Sequence, residues 1–165
     1  VTLVMGKCDS EPPVFANTVK VQSAKDMYDA VIERADSMDI IVKAAAVADY
    51  RPKNVSSEKV KKQDGNMSIE LERTDDILKT LGERKNGQFI CGFSMETENM
   101  LENSRKKLEK KNCDMIVANN LKQDGAGFGG NTNIVTLITK DDEVQLEKMT
   151  KDEVAEKIFD FILSR

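Results

Sequence analysis

The run "DIIVKAAAVA", residues 39–48, constrains the fold more than any other stretch of the chain. Both alternating faces are apolar apart from Lys43, as in strands buried within a parallel sheet. The run stops at Asp49 and releases a lysine-rich, turn-rich segment, "DYRPKNVSSEKVKKQ". A strand that only fills a sheet needs no such ending. A strand whose carboxyl end floors a ligand site does, because ligands of open α/β sheets bind outside the carboxyl ends of the strands.

Other segments supply partners for this strand. "VTLVM" (1–5), "TVKVQ" (18–22), "FICGF" (89–93) and "DMIVAN" (114–119) read as strands. Ser23 and Asp26 form an S-x-x-[DE] helix start. Met27, Ala30, Val31 and Ala35 follow at helical spacing, which predicts a helix over 24–37. Thr74 is expected to cap a helix through 84 that turns Ile77, Leu78 and Leu81 inward. Thr97 is expected to start a charged helix to Asn112, with Leu101, Ser104 and Leu108 on one face. "MSIELER" (67–73) alternates Met67, Ile69 and Leu71, and an Asp64-Gly65 turn precedes it, so 57–73 reads as a projecting hairpin. "IVTLITK" and "VQLEKM" predict two late strands, and Thr150 with Glu153 caps a final helix that buries Val154, Ile158, Phe161 and Ile162. The fold class is α/β: a Rossmann-like parallel sheet with helices on both faces, a protruding flap hairpin and an antiparallel C-terminal hairpin. One domain over 1–165 is expected, with the flap at 51–66. Val1 reads as part of a strand already under way, so the chain is expected to begin inside a larger fold.

Composition removes several classes of function. The 25 basic and 29 acidic residues give a net charge of −4, which argues against nucleic-acid binding by bulk charge. No apolar run approaches the roughly 20 residues of a membrane helix. Three widely spaced cysteines (Cys8, Cys91, Cys113) favour a reducing cytoplasm over a disulfide framework. Histidine is absent from these 165 residues, which excludes triads with a histidine base and Cys/His zinc sites within them. Chemistry here must rest on lysines, carboxylates, amides, backbone groups and a borrowed metal ion.

Each candidate has a plain reading and a functional one. Asp49, Phe93 in "CGFSMET" and Asn119-Asn120 each end a predicted strand. One alone is a cap or loop residue; three at one sheet edge suggest a site. Lys59, Lys61 and Lys62 suit a solvated edge strand that blocks aggregation, or a mobile flap that lowers an ammonium onto phosphates. Lys107 and Lys111 share one helical face and are either surface decoration or a grip on a nucleotide. Asp75 and Asp76 sit at a helix start, where carboxylates complement the dipole. "GAGFGG" fails as a dinucleotide fingerprint because a strand follows it where a helix should open.

Together "AAAVADYRPKN", "SSEKVKKQ", "TDDIL", "GFSMETENMLENSRKKLEKKNCDMIVANN" and "GFGGNTNIVTLI" resemble the phosphopantothenoylcysteine synthetases of bacteria, along essentially the whole chain. The resemblance implies a ligase of coenzyme A biosynthesis in the cytoplasm. It would activate 4′-phosphopantothenate with CTP and Mg2+ to an acyl-cytidylate, which the L-cysteine amine then attacks. It places Ala45, Ala46 and Asp49 at the nucleotide, makes Lys59 the flap lysine of the acyl-cytidylate step, and sets Thr74, Asp75, Asp76, Ile77 and Phe93 beside the cytidine. Lys107 and Lys111 would contact the nucleotide. The metal ligands stay unassigned. A homodimer through "AVADYRP" is implied, and FMN only if a decarboxylase domain is fused upstream. The family's first strand and its glycine-rich phosphate turn have no counterpart in these residues. A catalytically incomplete nucleotide-binding or dimerisation fragment is therefore the alternative.

Overall fold

A computed structural model describes residues 1–8, 10–62, 64–120, 122 and 130–165. In chain order the elements are β1 (Thr2–Met5), β2 (Asn17–Lys20), α1 (Ala24–Ala35), β3 (Ile40–Lys43), β4 (Tyr50–Pro52), β5 (Leu71–Arg73), α2 (Ile77–Arg84) and β6 (Phe89–Glu96). They continue with α3 (Met100–Lys110), β7 (Met115–Asn120), β8 (Thr132–Asn133), β9 (Thr136–Ile138), β10 (Glu143–Gln145), β11 (Met149–Thr150) and α4 (Lys151–Leu163). The chain divides into two compact units, residues 1–34 with 45–77, and residues 35–44 with 78–165.

The larger unit holds a five-stranded sheet in the order β10-β9-β7-β6-β3. β3, β6 and β7 are parallel, and β9 and β10 add antiparallel strands at one side. The mixed α/β architecture and the late hairpin agree with the sequence reading. Register sets the two faces. Cys91 pairs with Met115, and these with Val117 and Leu137 pack against Val154, Ile158 and Ile162 of α4. On the other face Gly92 pairs with Ile116, and a Cβ on Gly92 would lie 2.7 Å from Leu78 Cδ2 of α2. Only a glycine lets α2 lie this close to the sheet. The predicted capping box is present: Glu153 N–H donates to Thr150 Oγ1 at 3.2 Å, and Thr150 N–H to Glu153 Oε2 at 2.8 Å.

Four expectations need correction. The run 39–48 is a strand only over Ile40–Lys43. β3 lies at the end of the strand order and, among the described residues, pairs only with β6, and Val42 is 38% exposed. A tight bond from Val47 N–H to the Ala45 carbonyl, 3.1 Å, then breaks the extended path. Helix α2 starts at Ile77, not beside Thr74. Helix α3 starts at Met100 with Asn99 as its cap, in the left-handed region at φ 49° and without a side-chain capping bond; Thr97 lies outside it. Leu101 is correspondingly half-exposed, while Ser104 and Leu108 are buried.

The smaller unit pairs β1 with β2 in parallel and β4 with β5 antiparallel. Its helix α1 starts as predicted. Ser23 N–H donates to Asp26 Oδ2 at 2.9 Å and Asp26 N–H to Ser23 Oγ at 3.1 Å. Hydrogen bonds donated to its carboxylate by Ser23, and by the Gln22 N–H at 3.3 Å, hold the Asp26 carboxyl below its ordinary pKa. The glycine-rich "GAGFGG" falls outside the described residues except for Gly130.

Ser104 on α3 is fully enclosed, and its hydroxyl has no hydrogen-bond partner among the described residues. A buried hydroxyl without a partner costs about 1–3 kcal/mol, so Ser104→Ala should leave thermal stability unchanged or raise it. Leu108→Ala, one turn on, should lower it by about 2–5 kcal/mol. Calorimetric unfolding checks both. A clear loss of stability in Ser104→Ala would show that the hydroxyl is partnered.

Candidate functional site

In the smaller unit the carboxyl end of the "AAAVAD" stretch is fixed by Thr74. Its N–H donates to the Asp49 carbonyl at 3.0 Å, and its hydroxyl to the Ala48 carbonyl at 2.6 Å. The hydroxyl expected to cap a helix instead spans 26 residues to tie two predicted site segments together. Asp75 and Asp76 follow directly and precede the first turn of α2, where the helix N-terminus favours negative charge. Ile77 is buried. Ala45 and Ala46 are exposed; with Val47 and Ala48 they line a cleft of about 470 Å3 whose other walls include Gly6, Lys7 and Ser23. The sequence marks Ser23 only as a helix start and gives Gly6 no role. Their shared position at the ends of β1 and α1 is a product of folding, not of local pattern.

The hairpin begins where "YRPK" meets "ELER". Tyr50, Arg51 and Pro52 pair with Arg73, Glu72 and Leu71. Opposite charges bridge the strands: Arg51 Nε to Glu72 Oε1 at 2.8 Å and Lys53 Nζ to Glu70 Oε1 at 2.6 Å. The Arg73 guanidinium sits 5.6 Å from the Tyr50 ring centroid. Lys53 is thus engaged at the hairpin base, whereas Lys59, Lys61 and Lys62 lie exposed on the irregular segment between β4 and β5. The hairpin expected over 57–73 is instead built from Tyr50–Pro52 and Leu71–Arg73, and the alternating Met67, Ile69 and Leu71 are all more than half exposed. A two-stranded ribbon has no second layer to bury them.

In the larger unit three predicted residues converge on the crossover from β6 to β7. Lys107 reaches back from α3 and donates from Nζ to the Phe93 carbonyl at 2.8 Å. Lys111 caps the end of the same helix, with its N–H on the Lys107 carbonyl at 3.0 Å. Phe93 therefore lies within β6 rather than at its end, and the strand runs on to Glu96, level with Asn120 of β7. At that carboxyl end Glu96 accepts from Ser94 Oγ at 2.9 Å and from Asn103 Nδ2 at 3.2 Å. Arg105, on another side of α3, is held by Glu143 at 2.6 Å.

Comparison with known proteins places this arrangement. Residues 1–165 match the family described as the DNA/pantothenate metabolism flavoprotein C-terminal domain. The chain belongs to this family. It is 53% identical over 131 residues to the coenzyme A biosynthesis bifunctional protein CoaBC of Bacillus subtilis (strain 168), which covers 79% of this chain and 32% of that protein. A cysteine/cysteine sulfinic acid decarboxylase of an unknown prokaryotic organism is 42% identical over 167 residues, covering 99% of this chain and 46% of the relative. The chain thus spans less than half the length of these curated relatives. Among solved structures, the crystal structure of the C-terminal domain of CoaBC matches with a TM-score of 0.81 and 45% identity, over 98% of this chain and 71% of that one. The domain's mixed sheet is the sheet of that family.

Cysteine chemistry has no support in this geometry. Burial raises the pKa of Cys91 and of Cys113 to about 12 each, so both thiols stay protonated at neutral pH. Cys8 alone is exposed. At pH 8 a disulfide reagent should therefore label one of the three thiols quickly in the native protein and all three after unfolding. Fast labelling of two or three native thiols would contradict the burial.

Proposed function

We propose that this domain catalyses the ligation of 4′-phosphopantothenate to cysteine, using CTP as the activating nucleotide. Membership of the family over 1–165 and the coenzyme A biosynthesis names of its relatives support the reading. The observation that carries it furthest is the Lys107 ammonium seated on the Phe93 carbonyl at 2.8 Å, with Lys111 one turn along. Lys107 is thus a held cation beside a strand of the family's sheet, and Lys111 follows it one turn along the same helix.

The chemistry asks for charge neutralisation and for the orientation of two anions. The substrate carboxylate attacks the α-phosphorus of CTP; a C–O–P bond forms, and the bond to the β-phosphate breaks to release pyrophosphate. The cysteine amine then attacks the acyl carbon, an amide forms, CMP leaves, and the amine proton passes to solvent. Lys107 and Lys111 would hold nucleotide oxygens, and Lys59 would reach the phosphorus as charge builds there. Thr74, by holding the Ala48 and Asp49 carbonyls, would keep the Asp49 segment in place for the cytidine. None of these roles needs a histidine. Among the described residues no three acidic or cysteine side chains gather as a metal cage. Magnesium usually keeps several waters and binds through one or two carboxylates with substrate phosphates, so we propose that it arrives with the triphosphate. The exposed Ala46–Pro52 stretch is proposed to contribute to a homodimer.

The test is pyrophosphate release from CTP, magnesium and 4′-phosphopantothenate, followed by amide formation on adding cysteine. Lys107→Ala and Lys111→Ala should each weaken CTP binding by about 1–3 kcal/mol, the range for charge-assisted contacts. Arg105→Ala, whose partner is Glu143, should leave it unchanged. Lys59→Gln should slow acyl-cytidylate formation far more than it weakens CTP binding, as expected of a contact made mainly in the transition state. Equal effects from all three α3 substitutions would make that helix surface decoration. CTP binding without pyrophosphate release would favour a nucleotide-binding fragment.

A further inference from the structure

Gly82 stands out because it lies inside a helix, where glycine is disfavoured relative to alanine. It is buried. A Cβ added there would lie 1.8 Å from the Lys111 carbonyl oxygen, 2.8 Å from its carbonyl carbon and 3.2 Å from Asn112 Cβ. Two of these are backbone atoms that no rotamer change can withdraw. The same turn is held from other directions as well. Asn112 takes the left-handed conformation at φ 50° and donates from Nδ2 to the Gly82 carbonyl at 2.9 Å. Cys113 N–H closes on the Leu108 carbonyl at 3.0 Å. The bare surface of α2 and the amide of Asn112 together set how deeply the last turn of α3 sits.

From this we infer that Gly82 is a positioning residue for Lys111, placing the root of that side chain for the nucleotide oxygens it is proposed to hold. The inference rests on the nucleotide role of Lys111 given above. A methyl group at position 82 must push the Lys111 backbone away by about 1 Å or more, and a misplacement of that size is enough to weaken an oriented contact severely. Lys107 is protected from the shift because its ammonium is tied to the Phe93 carbonyl on β6. The effect should therefore fall on one lysine of the pair.

A double-mutant cycle separates positioning from general damage. CTP affinity, with magnesium, is measured by calorimetry on the protein carrying Gly82→Ala, Lys111→Ala, and both. Gly82→Ala should weaken CTP about tenfold, the scale of one charge-assisted contact, yet add nothing on the Lys111→Ala background. On a Lys107→Ala background its tenfold effect should persist. In turnover the KM for CTP should rise while the KM for cysteine holds. Asn112→Gly keeps the left-handed backbone without strain and removes only the donor to Gly82. It should show a smaller loss with the same dependence on Lys111, and it carries the test if Gly82→Ala does not fold. A Gly82→Ala effect that multiplies on the Lys111→Ala background, or no effect on CTP at all, overturns the positioning role alone. Unchanged CTP affinity in Lys111→Ala overturns the nucleotide role and this inference with it.

Discussion

Asp114 ties the start of the ladder between the two central strands, and the larger unit is built outward from that knot. Its N–H donates to the Ile90 carbonyl at 2.9 Å, and its Oδ2 accepts from Ile90 N–H at 2.7 Å. Its other carboxylate oxygen accepts from Lys85. With both ends of one residue bonded across to Ile90, β6 and β7 cannot slip by a residue, which would turn every side chain to the wrong face. The register it fixes brings Cys91, Met115 and Val117 to α4, and Gly92 and Ile116 to α2.

The same register governs the crossover helix. α3 must return from the carboxyl end of β6 to the start of β7, so it packs along both strands. Its buried face is made of a small residue and a large one, Ser104 and Leu108. Lys107, one position before Leu108, is left at the border of that face, and its long stem reaches the Phe93 carbonyl. Position on the helix, rather than local charge density, separates Lys107 from Lys106, which pairs with Glu102 on the exposed side.

The hairpin of the smaller unit follows a different logic. Charge pairs and a cation–ring contact hold its base, while its apolar side chains remain in solvent. None of the described residues between β4 and β5 is buried to oppose the ordering cost of that segment, about 1–2 kcal/mol per residue for the backbone. An anionic ligand that attracts the exposed lysines is the kind of partner that would offset it.

Local pattern in the sequence determined much of this. The capping pairs Ser23/Asp26 and Thr150/Glu153, the inward Val154, Ile158 and Ile162, and the alternation of strands with helices all depend on neighbours within a few residues, and all were legible. So was the family, because its motifs lie in contiguous stretches. What tertiary structure alone decided is where those stretches end and what they meet. "DIIVKAAAVA" reads as a long buried strand, yet it is cut short because β3 has one partner strand among the described residues and alanines give little drive to extend it. Thr74 reads as a cap, yet its hydroxyl goes to Ala48, a residue far away in the chain. Gly82 carries no sequence signal of its role, yet it is the seat of the Lys111 carbonyl. In each case the deciding contact joins residues more than 20 positions apart, and no periodicity within either segment encodes such a contact.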